Sequence, residues 1–425
     1  MNDPFMFMCF SKTPAMSPTG DCRPLADQAD GTMLGEGIGM VALKRLDHAQ
    51  RDGDQVYAVL KGLGTSSDGR SKSVYAPVAQ GQALSLRRAY AHAGYGPETV
   101  ELIEAHGTGT KAGDAAEFEG LRMVFEETGR SDSAWCALGT VKSQIGHTKA
   151  AAGAAGLFKV VMALHHKVLP PTIKVDRPNT ALGIQTSPFH INTRARPWVR
   201  SPDHPRRAGV SSFGFGGSNF HITLEEVTGT THRAARLRSF SHELVLLHAS
   251  SPGALAGICR ELAGGVQAEG RLQWLAWRGQ NQFQANADAR LAIVAKDESD
   301  LQSKLEAAAK QIETEPSESF SAPTGIHYGR GPSQGGIAFL FSGQGSQYLD
   351  MGTQLATSFS VAMSAWEDAA RMDLNDPKAL HEVVFPPTAF DAESQQAQQA
   401  QLIETQWAQP AIGCTSLSML RLLRT

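Results

Sequence analysis

Apolar positions along this chain follow two periods, with glycine- and proline-rich stretches between them. Short apolar runs bounded by Gly and Asp predict buried strands at "GMVALKRL" (39–46), "QVYAVLKGLG" (55–64) and "WCALGTVKS" (135–143). Helical spacing predicts an amphipathic helix over "GQALSLRRAYAHAG" (81–94) and another over "GDAAEFEGLRMVF" (113–125). In the second, Asp114 is placed to cap and Glu117 to return the bond three residues on. A helix over 148–166 is apolar nearly all round and rich in Ala and Gly, which predicts a central position in a core, and "VLPPT" ends it. "YGPETVELIEAHGTGT" (95–110) reads as a turn, a short strand and a glycine loop, and "RRAGVSSFGFGGSNFHITLEEV" (206–227) as strand, glycine turn and strand. The opening "MNDPFMFMCF" is apolar but short, a strand or helix that expects a neighbour. Residues 1–228 are thus expected to form one α/β unit.

The pattern changes after about residue 229. "LVLLHAS" (244–250) predicts a strand, and Ser251 with Pro252 starts a helix whose Leu255, Ile258, Cys259 and Leu262 share a face. "RLAIVAK" and the following helix, with Leu301, Leu305, Ala308 and Ile312 on one side, repeat the arrangement. A small α/β adaptor with a Ser/Pro/Gly-rich linker (314–336) is expected over 229–335. "IAFLFSGQGSQ" (337–347) predicts a strand running into a glycine turn and opens a third part, 336–425, which closes on a periodic helix without a capping signal.

Composition narrows the class. The chain has 425 residues, 41% hydrophobic and 19% charged, enough to bury a sizeable core. Lys and Arg number 39 against 42 Asp and Glu, a net charge of -3, which gives no electrostatic footprint for nucleic acid. No apolar run of membrane-spanning length occurs, and the first residues lack the flanks of a signal peptide. Five dispersed cysteines form no CxxC pair, which argues against a disulfide scaffold and for a reducing, cytoplasmic compartment.

Two histidines carry the candidate chemistry. His106 closes an apolar run and opens "GTGT", a position where α/β proteins place reactive groups; the plainer alternative is a histidine satisfying backbone carbonyls. His147 has matching surroundings, ahead of the small-residue helix. Neutral imidazole donates from one nitrogen and accepts at the other, so a pair can polarise a carbonyl or assist a departing carboxylate. Lys142 either holds an anion or a buried partner beside that helix, or lies at the surface. "SSFGFGGSN" (211–219) offers backbone N–H groups for an oxyanion, a weak signal alone, as is "GEGIG" (35–39). A metal held by His106, His147, Asp114 and Cys136 lacks any close ligand pair, and no metal is expected.

Taken together and in order, "EAHGTGTKAGDAAE", "VKSQIGHTKAAAGAAG" and "GVSSFGFGGSNFH" resemble the carboxyl half of a β-ketoacyl synthase over roughly residues 5–228, and "ADGTMLGEGIGMVALKRL" and "GTSSDGRSKSVYAP" agree. The large subunit of polyunsaturated fatty acid synthases, related to iterative type I polyketide synthases, is the most similar class. The resemblance implies an α/β, thiolase-like fold and decarboxylative Claisen condensation of acyl and malonyl thioesters. It assigns His106 and His147 to the malonyl thioester, Lys142 to organising the site, and Phe215 with Gly216 to gating and the oxyanion hole. Residues 229–335 resemble the synthase–transferase adaptor. "GQGSQ" resembles the start of a malonyl/acyl transferase, with Gln344 in its oxyanion region and Ser342 where that family more often has proline. Implied partners are acyl carrier proteins bearing phosphopantetheine, with no cofactor bound directly, and a homodimer at full length. Neither the synthase "DTACSS" cysteine nor the transferase "GHSxGE" serine occurs. The expectation is therefore a fragment that begins after its nucleophile and, lacking it, does not condense alone, while its two histidines and lysine could still assist decarboxylation without acyl transfer. Alternatives are a non-catalytic scaffold or carrier-docking partner, and a thiolase-like acyltransferase.

Overall fold

The structure is a computed structural model that describes residues 3–13, 15–70, 76–229, 240–332 and 335–425; positions 71–75 of the "GTSSDGRSKSVYAP" segment lie outside the described residues. It divides into two compact units, Met1–Arg236 with Phe341–Thr425, and Leu237–Leu340.

The first unit is built on a six-stranded sheet. In chain order its elements are α1 (Pro4–Lys12), α2 (Leu46–Asp52), β1 (Val59–Ser67), α3 (Ala79–Ala93), β2 (Leu102–Glu104), α4 (Lys111–Phe125), β3 (Cys136–Gly139), α5 (Lys142–Ile145), α6 (Ala152–His166), β4 (Val168–Leu169), β5 (Phe189–Ile191), β6 (Arg196–Pro197), β7 (Arg207–Phe213) and β8 (Ser218–Glu225). The strand order is β1-β8-β7-β2-β3-β5, with β4 and β6 paired separately. β2 runs parallel to both β3 and β7, and β8 folds back antiparallel between β7 and β1.

Both faces of the central strands are covered, which is why β2 and β3 read as continuous apolar runs. Ile103, Cys136 and Leu138 pack with Leu86, Phe118, Leu121 and Phe125 of α3 and α4. Their neighbours Leu102 and Ala137 point the other way, onto Val160, Ala163 and Leu164 of α6. The small residues of α6 serve this contact. A Cβ on Gly156 would sit 3.1 Å from Glu104 Cγ and 3.3 Å from Val210, so the helix comes close to the sheet there.

Several expectations are corrected. The strand expected at 39–46 is not one: residues 39–45 have no ladder partner among the described residues and lie exposed before α2. Strand β1 is half-exposed rather than buried, because it forms a sheet edge. The helix at 148–166 starts as a 3-10 turn, becomes α-helical only at Ala152, and buries one side, leaving Phe158 63% exposed. Its end is set by Lys167 in a left-handed conformation, ahead of the prolines.

The second unit pairs β9 (Glu243–Ala249), β10 (Ala289–Ala295), β11 (Phe320–Ala322) and β12 (Ile326–Arg330) in the order β11-β12-β10-β9, all antiparallel, with α7 (Pro252–Gly265), α8 (Arg271–Gln282) and α9 (Glu298–Thr314). Ser251 caps α7 by accepting from Ala254 N at 3.3 Å, and Leu255, Cys259, Leu301, Leu305, Ala308 and Ile312 enter the core as the periodicity predicts. The stretch expected to be linker holds β11 and β12, and α8 was not foreseen.

Residues 341–425 contribute helices only: α10 (Thr353–Ser358), α11 (Ser360–Ala369), α12 (Leu380–Val384), α13 (Ala392–Ile403) and α14 (Thr405–Leu423). The strand expected from Ile337 does not form, and Ile337 and Leu340 are exposed.

Exposed apolar side chains include Phe5 and Met8 on α1, Ile38, Met40 and Leu43 in the unpaired stretch, Phe158 on α6, Trp277 on α8, and Ile337, Phe339 and Leu340. Patches of this kind bind apolar dyes and promote association. The full chain is expected to elute from gel filtration as associated species and to enhance the fluorescence of an apolar dye. A monodisperse, dye-silent monomer would contradict this.

Candidate functional site

Strands β2 and β3 lie side by side in parallel, so their carboxyl ends deliver His106 and Lys142 to the same edge of the sheet. The loop after β2 is held by two buried carboxylates. Glu117 accepts the backbone N–H of His106 at Oε1 and that of Gly107 at Oε2, both at 2.7 Å. Asp114 accepts from Gly109 N at 3.1 Å and from Leu25 N at 2.7 Å. This overturns the expected capping box, since Thr110 caps α4 and accepts from Gly113 N at 3.2 Å. Gly107 has φ +42°, and a Cβ there would meet Thr140 at 2.8 Å, so the loop admits no side chain at that turn.

His147 is fixed by a bridge to the segment that runs into "GEGIG". Its N–H donates to Met33 O at 2.6 Å, and its carbonyl accepts from Gly35 N at 3.0 Å. Its ring stands edge-on to that of His106, with centroids 5.3 Å apart and planes at 82°. His147 Nδ1 accepts from Lys149 N at 3.0 Å, so in the neutral ring the proton sits on Nε2. Lys142 is 3% exposed and its ammonium donates to the His106 carbonyl, which excludes the surface-lysine reading. Behind it, Glu104 accepts from Val141 N at 2.6 Å and pairs with Lys159 at 2.8 Å.

Electrostatics keep both rings neutral. Burial, helped by the Lys142 ammonium, holds His106 well below the usual histidine range and His147 at about 3. Burial also lowers Lys142, against the pull of Glu104 and Glu117. It raises Asp114 to about 6 and Glu117 to about 7, in spite of the N–H groups each accepts.

The pair opens into a cavity of about 620 Å³. Phe213, Phe215, Phe220, Met6 and Phe10 supply much of its apolar wall, and Thr108, Thr110, Ser212 and Asn219 its polar groups. Phe213 packs 5.9 Å from His106, and Phe215 lies 5.7 Å from Phe10 of α1. Phe215 belongs to the turn closed by Gly214 N to Ser218 O at 2.9 Å; Gly216 sits in that turn but not on the cavity wall. Gln344 is elsewhere, exposed and hydrogen-bonded with Thr405 and Gln409. Cys136 is sealed in the core beneath α3 and α4, and Cys22 lies under the glycine loop with Sγ 3.6 Å from Thr108 O and its thiol raised by burial. No cysteine is among the wall residues. Met6 and Phe10 were missed from sequence. Their i, i+4 spacing marks one helix face, though not where that face docks.

Glu117 gives a direct test of the loop. Glu117→Gln keeps the volume but sets an amide NH₂ against a backbone N–H, and an unmet buried donor costs about 1–3 kcal/mol. Denaturant unfolding is expected to show a loss of that order, with faster amide exchange at Gly107. Unchanged stability and exchange would remove Glu117 from this role.

Comparison with known proteins follows the same segments. Family models match in chain order: β-ketoacyl synthase, N-terminal domain, at residues 1–49; β-ketoacyl synthase, C-terminal domain, at 57–176; and ketoacyl-synthetase C-terminal extension, at 178–314. A polyunsaturated fatty acid synthase subunit of a Thraustochytrium species is 36% identical over 447 residues, covering 99% of this chain and 16% of that protein. Polyketide synthase GfsA of Streptomyces halstedii is 34% identical over 434 residues, covering 100% of this chain and 6% of that protein. The chain therefore spans a small part of these relatives' length. Among solved structures, the ketosynthase from module 6 of the bacillaene synthase of Bacillus subtilis 168 is 35% identical with a TM-score of 0.51, over 73% of this chain and 54% of that one. The oxazolomycin ketosynthase domain OzmH KS7 of Streptomyces albus JA3453 is 30% identical with a TM-score of 0.53, over 77% and 55%.

Proposed function

This chain belongs to the β-ketoacyl synthase family and has its thiolase-like fold, and on that premise we propose that it is part of a multidomain synthase performing decarboxylative Claisen condensation in polyunsaturated fatty acid or polyketide biosynthesis. The observation that carries the reading is the edge-on pair of neutral imidazoles on the wall of a largely apolar cavity. A malonyl thioester would place its thioester oxygen between the N–H groups of His106 and His147. The bond to the carboxylate breaks, carbon dioxide leaves, and the electron pair moves to the thioester oxygen as an enolate. Donors aimed at that oxygen are worth most as its charge develops. An apolar wall disfavours the carboxylate and accepts carbon dioxide. Lys142 holds the His106 backbone in place, and the Phe215 and Gly216 turn would serve as gate and second oxyanion donor.

On this reading residues 1–228 are the ketosynthase part, 229–335 the adaptor and linker, and 336–425 the start of a malonyl/acyl transferase with Gln344 in its oxyanion region. The thioesters arrive on the phosphopantetheine arm of an acyl carrier protein, in the cytoplasm, and the whole synthase is a homodimer. Since no wall residue is a cysteine, the chain alone would not carry an acyl group and would not condense.

The test uses the full chain with a malonyl-loaded carrier protein. Saturable release of carbon dioxide is the expected result, with the enolate carbon taking a proton from water to give the acetyl thioester and no β-ketoacyl product. Carrier binding without release would favour a scaffold. Thiolytic cleavage of a β-ketoacyl thioester would favour a thiolase-like acyltransferase.

A further inference from the structure

The charged residues that follow β5 and β6 have no role in the site, yet several are buried against residues 341–425. We propose that this carboxyl-terminal segment is locked onto the ketosynthase part by a buried charge clasp centred on Arg206, so that the two unfold and move as one body. The inference stands on packing alone and holds whether or not the segment is the start of a transferase.

Arg206 is fully buried and each of its nitrogens is engaged. Nε donates to Trp198 O at 2.5 Å, one terminal nitrogen to Glu226 at 2.6 Å, and the other to Glu367 of α11 at 2.6 Å. Lys167, just past α6, reaches the same Glu367 oxygen at 3.3 Å. Two cations thus face two carboxylates, one of which comes from the distant segment. A second point of attachment lies nearby. Arg196, also buried, donates to Phe385 O and to His190 Nε2, the latter at 2.9 Å. Arg194 pairs with Asp350 at 3.0 Å, and the hydroxyls of Thr193 and Thr388 are 3.0 Å apart.

An apolar seam runs beside the clasp. Val199 belongs to the same buried cluster as Met351, Trp366, Phe385 and Trp407, and Phe390 packs on the cluster that holds Phe118 and Phe125. Independently moving domains meet through polar, hydrated contacts. A buried guanidinium is different. It requires its partners, because removing one leaves a charge desolvated and unpaired. If residues 341–425 swung away, Arg206 would keep Glu226 but lose Glu367, and Lys167 would lose that same carboxylate.

Hydrogen exchange on the unmodified full chain gives one test. Amides of α11 and α12 are expected to exchange in the same cooperative opening as those of β7 and β8. Exchange of 341–425 in a separate, faster step, or its release by limited proteolysis with β7 and β8 still protected, would overturn the proposal. Glu367→Gln gives the second: exchange of α11 is expected to rise by about 100-fold, as for a broken buried pair, and an unchanged rate would equally overturn it. Neither measurement depends on release of carbon dioxide, so the clasp and the proposed chemistry fail separately.

Discussion

In a full-chain sample carrying His147→Ala, release of carbon dioxide from a malonyl thioester is expected to fall roughly 100- to 1000-fold, the cost of losing one oxyanion donor. The argument is geometric first. The His147 ring is held edge-on to His106, and its Nδ1 takes the Lys149 N–H, so its remaining N–H is Nε2. Alanine removes that donor and leaves the backbone bridge to Met33 and Gly35, which does not use the side chain. The fold should therefore survive, which an unchanged far-ultraviolet spectrum checks. The pH dependence follows from burial. With His147 at about 3 and His106 well below its ordinary value, both rings stay neutral from pH 8 down to pH 5. Release by the parent should show no limb from imidazole titration over that range. A variant as active as the parent would sink the assignment, as would a limb near 6.5 that persists when Asp114 and Glu117, at about 6 and about 7, are replaced by their amides.

The residues of this site were legible where the signal was local. His106 and His147 each follow a short apolar strand and a change to glycine, and the structure brings them to 5.3 Å. The start of α7 was equally readable, because Ser251 accepts the N–H of Ala254 three residues on. What failed was pairing across distance. Asp114 and Glu117 have capping-box spacing, but both turn inward to backbone N–H groups of the histidine loop, and no local rule separates the two outcomes. Residues 39–45 have strand composition yet no ladder partner among the described residues. Strand β12 hid in a Ser/Pro/Gly-rich stretch because only Ile326 and Tyr328 point to its core. Helix α8 carries Leu272, Leu275 and Ala276 at helical spacing, interrupted by the exposed Trp274 and Trp277.

The same burial that keeps the paired rings neutral should make the first unit acid-labile. His147, His190 and His221 are held at about 3, His381 at about 4, and His106 well below its ordinary range, in each case chiefly by burial. A histidine lowered in the folded state contributes stability that is complete above pH 6.5 and is lost as pH falls towards its folded value, because the unfolded chain takes up the proton first. Glu101 at about 7, Asp114 at about 6 and Glu117 at about 7 have the opposite sign. Their contribution is complete below about 4 and is lost as pH rises through 6 to 7. Burial also raises Asp350, so between pH 6.5 and 4.5 five histidines oppose four carboxylates, and stability should fall with acid. Glu367, lowered to about 2 by Arg206 and Lys167 against its burial, adds its loss only below that window. Single variants separate the two signs. His221 is shifted by burial alone, and among the described residues its ring bonds only Ser211 Oγ, at 3.0 Å. His221→Gln should flatten the limb by one proton, about 1.4 kcal/mol per pH unit. Glu101→Gln keeps an acceptor for Trp198 Nε1, which now donates to Glu101 at 2.9 Å, and removes an opposing proton, so it should steepen the limb. Denaturant unfolding from pH 8 to 4.5 reads both slopes. If the two variants shift the limb in the same direction, or leave it unmoved, buried histidine is not what makes this fold yield to acid.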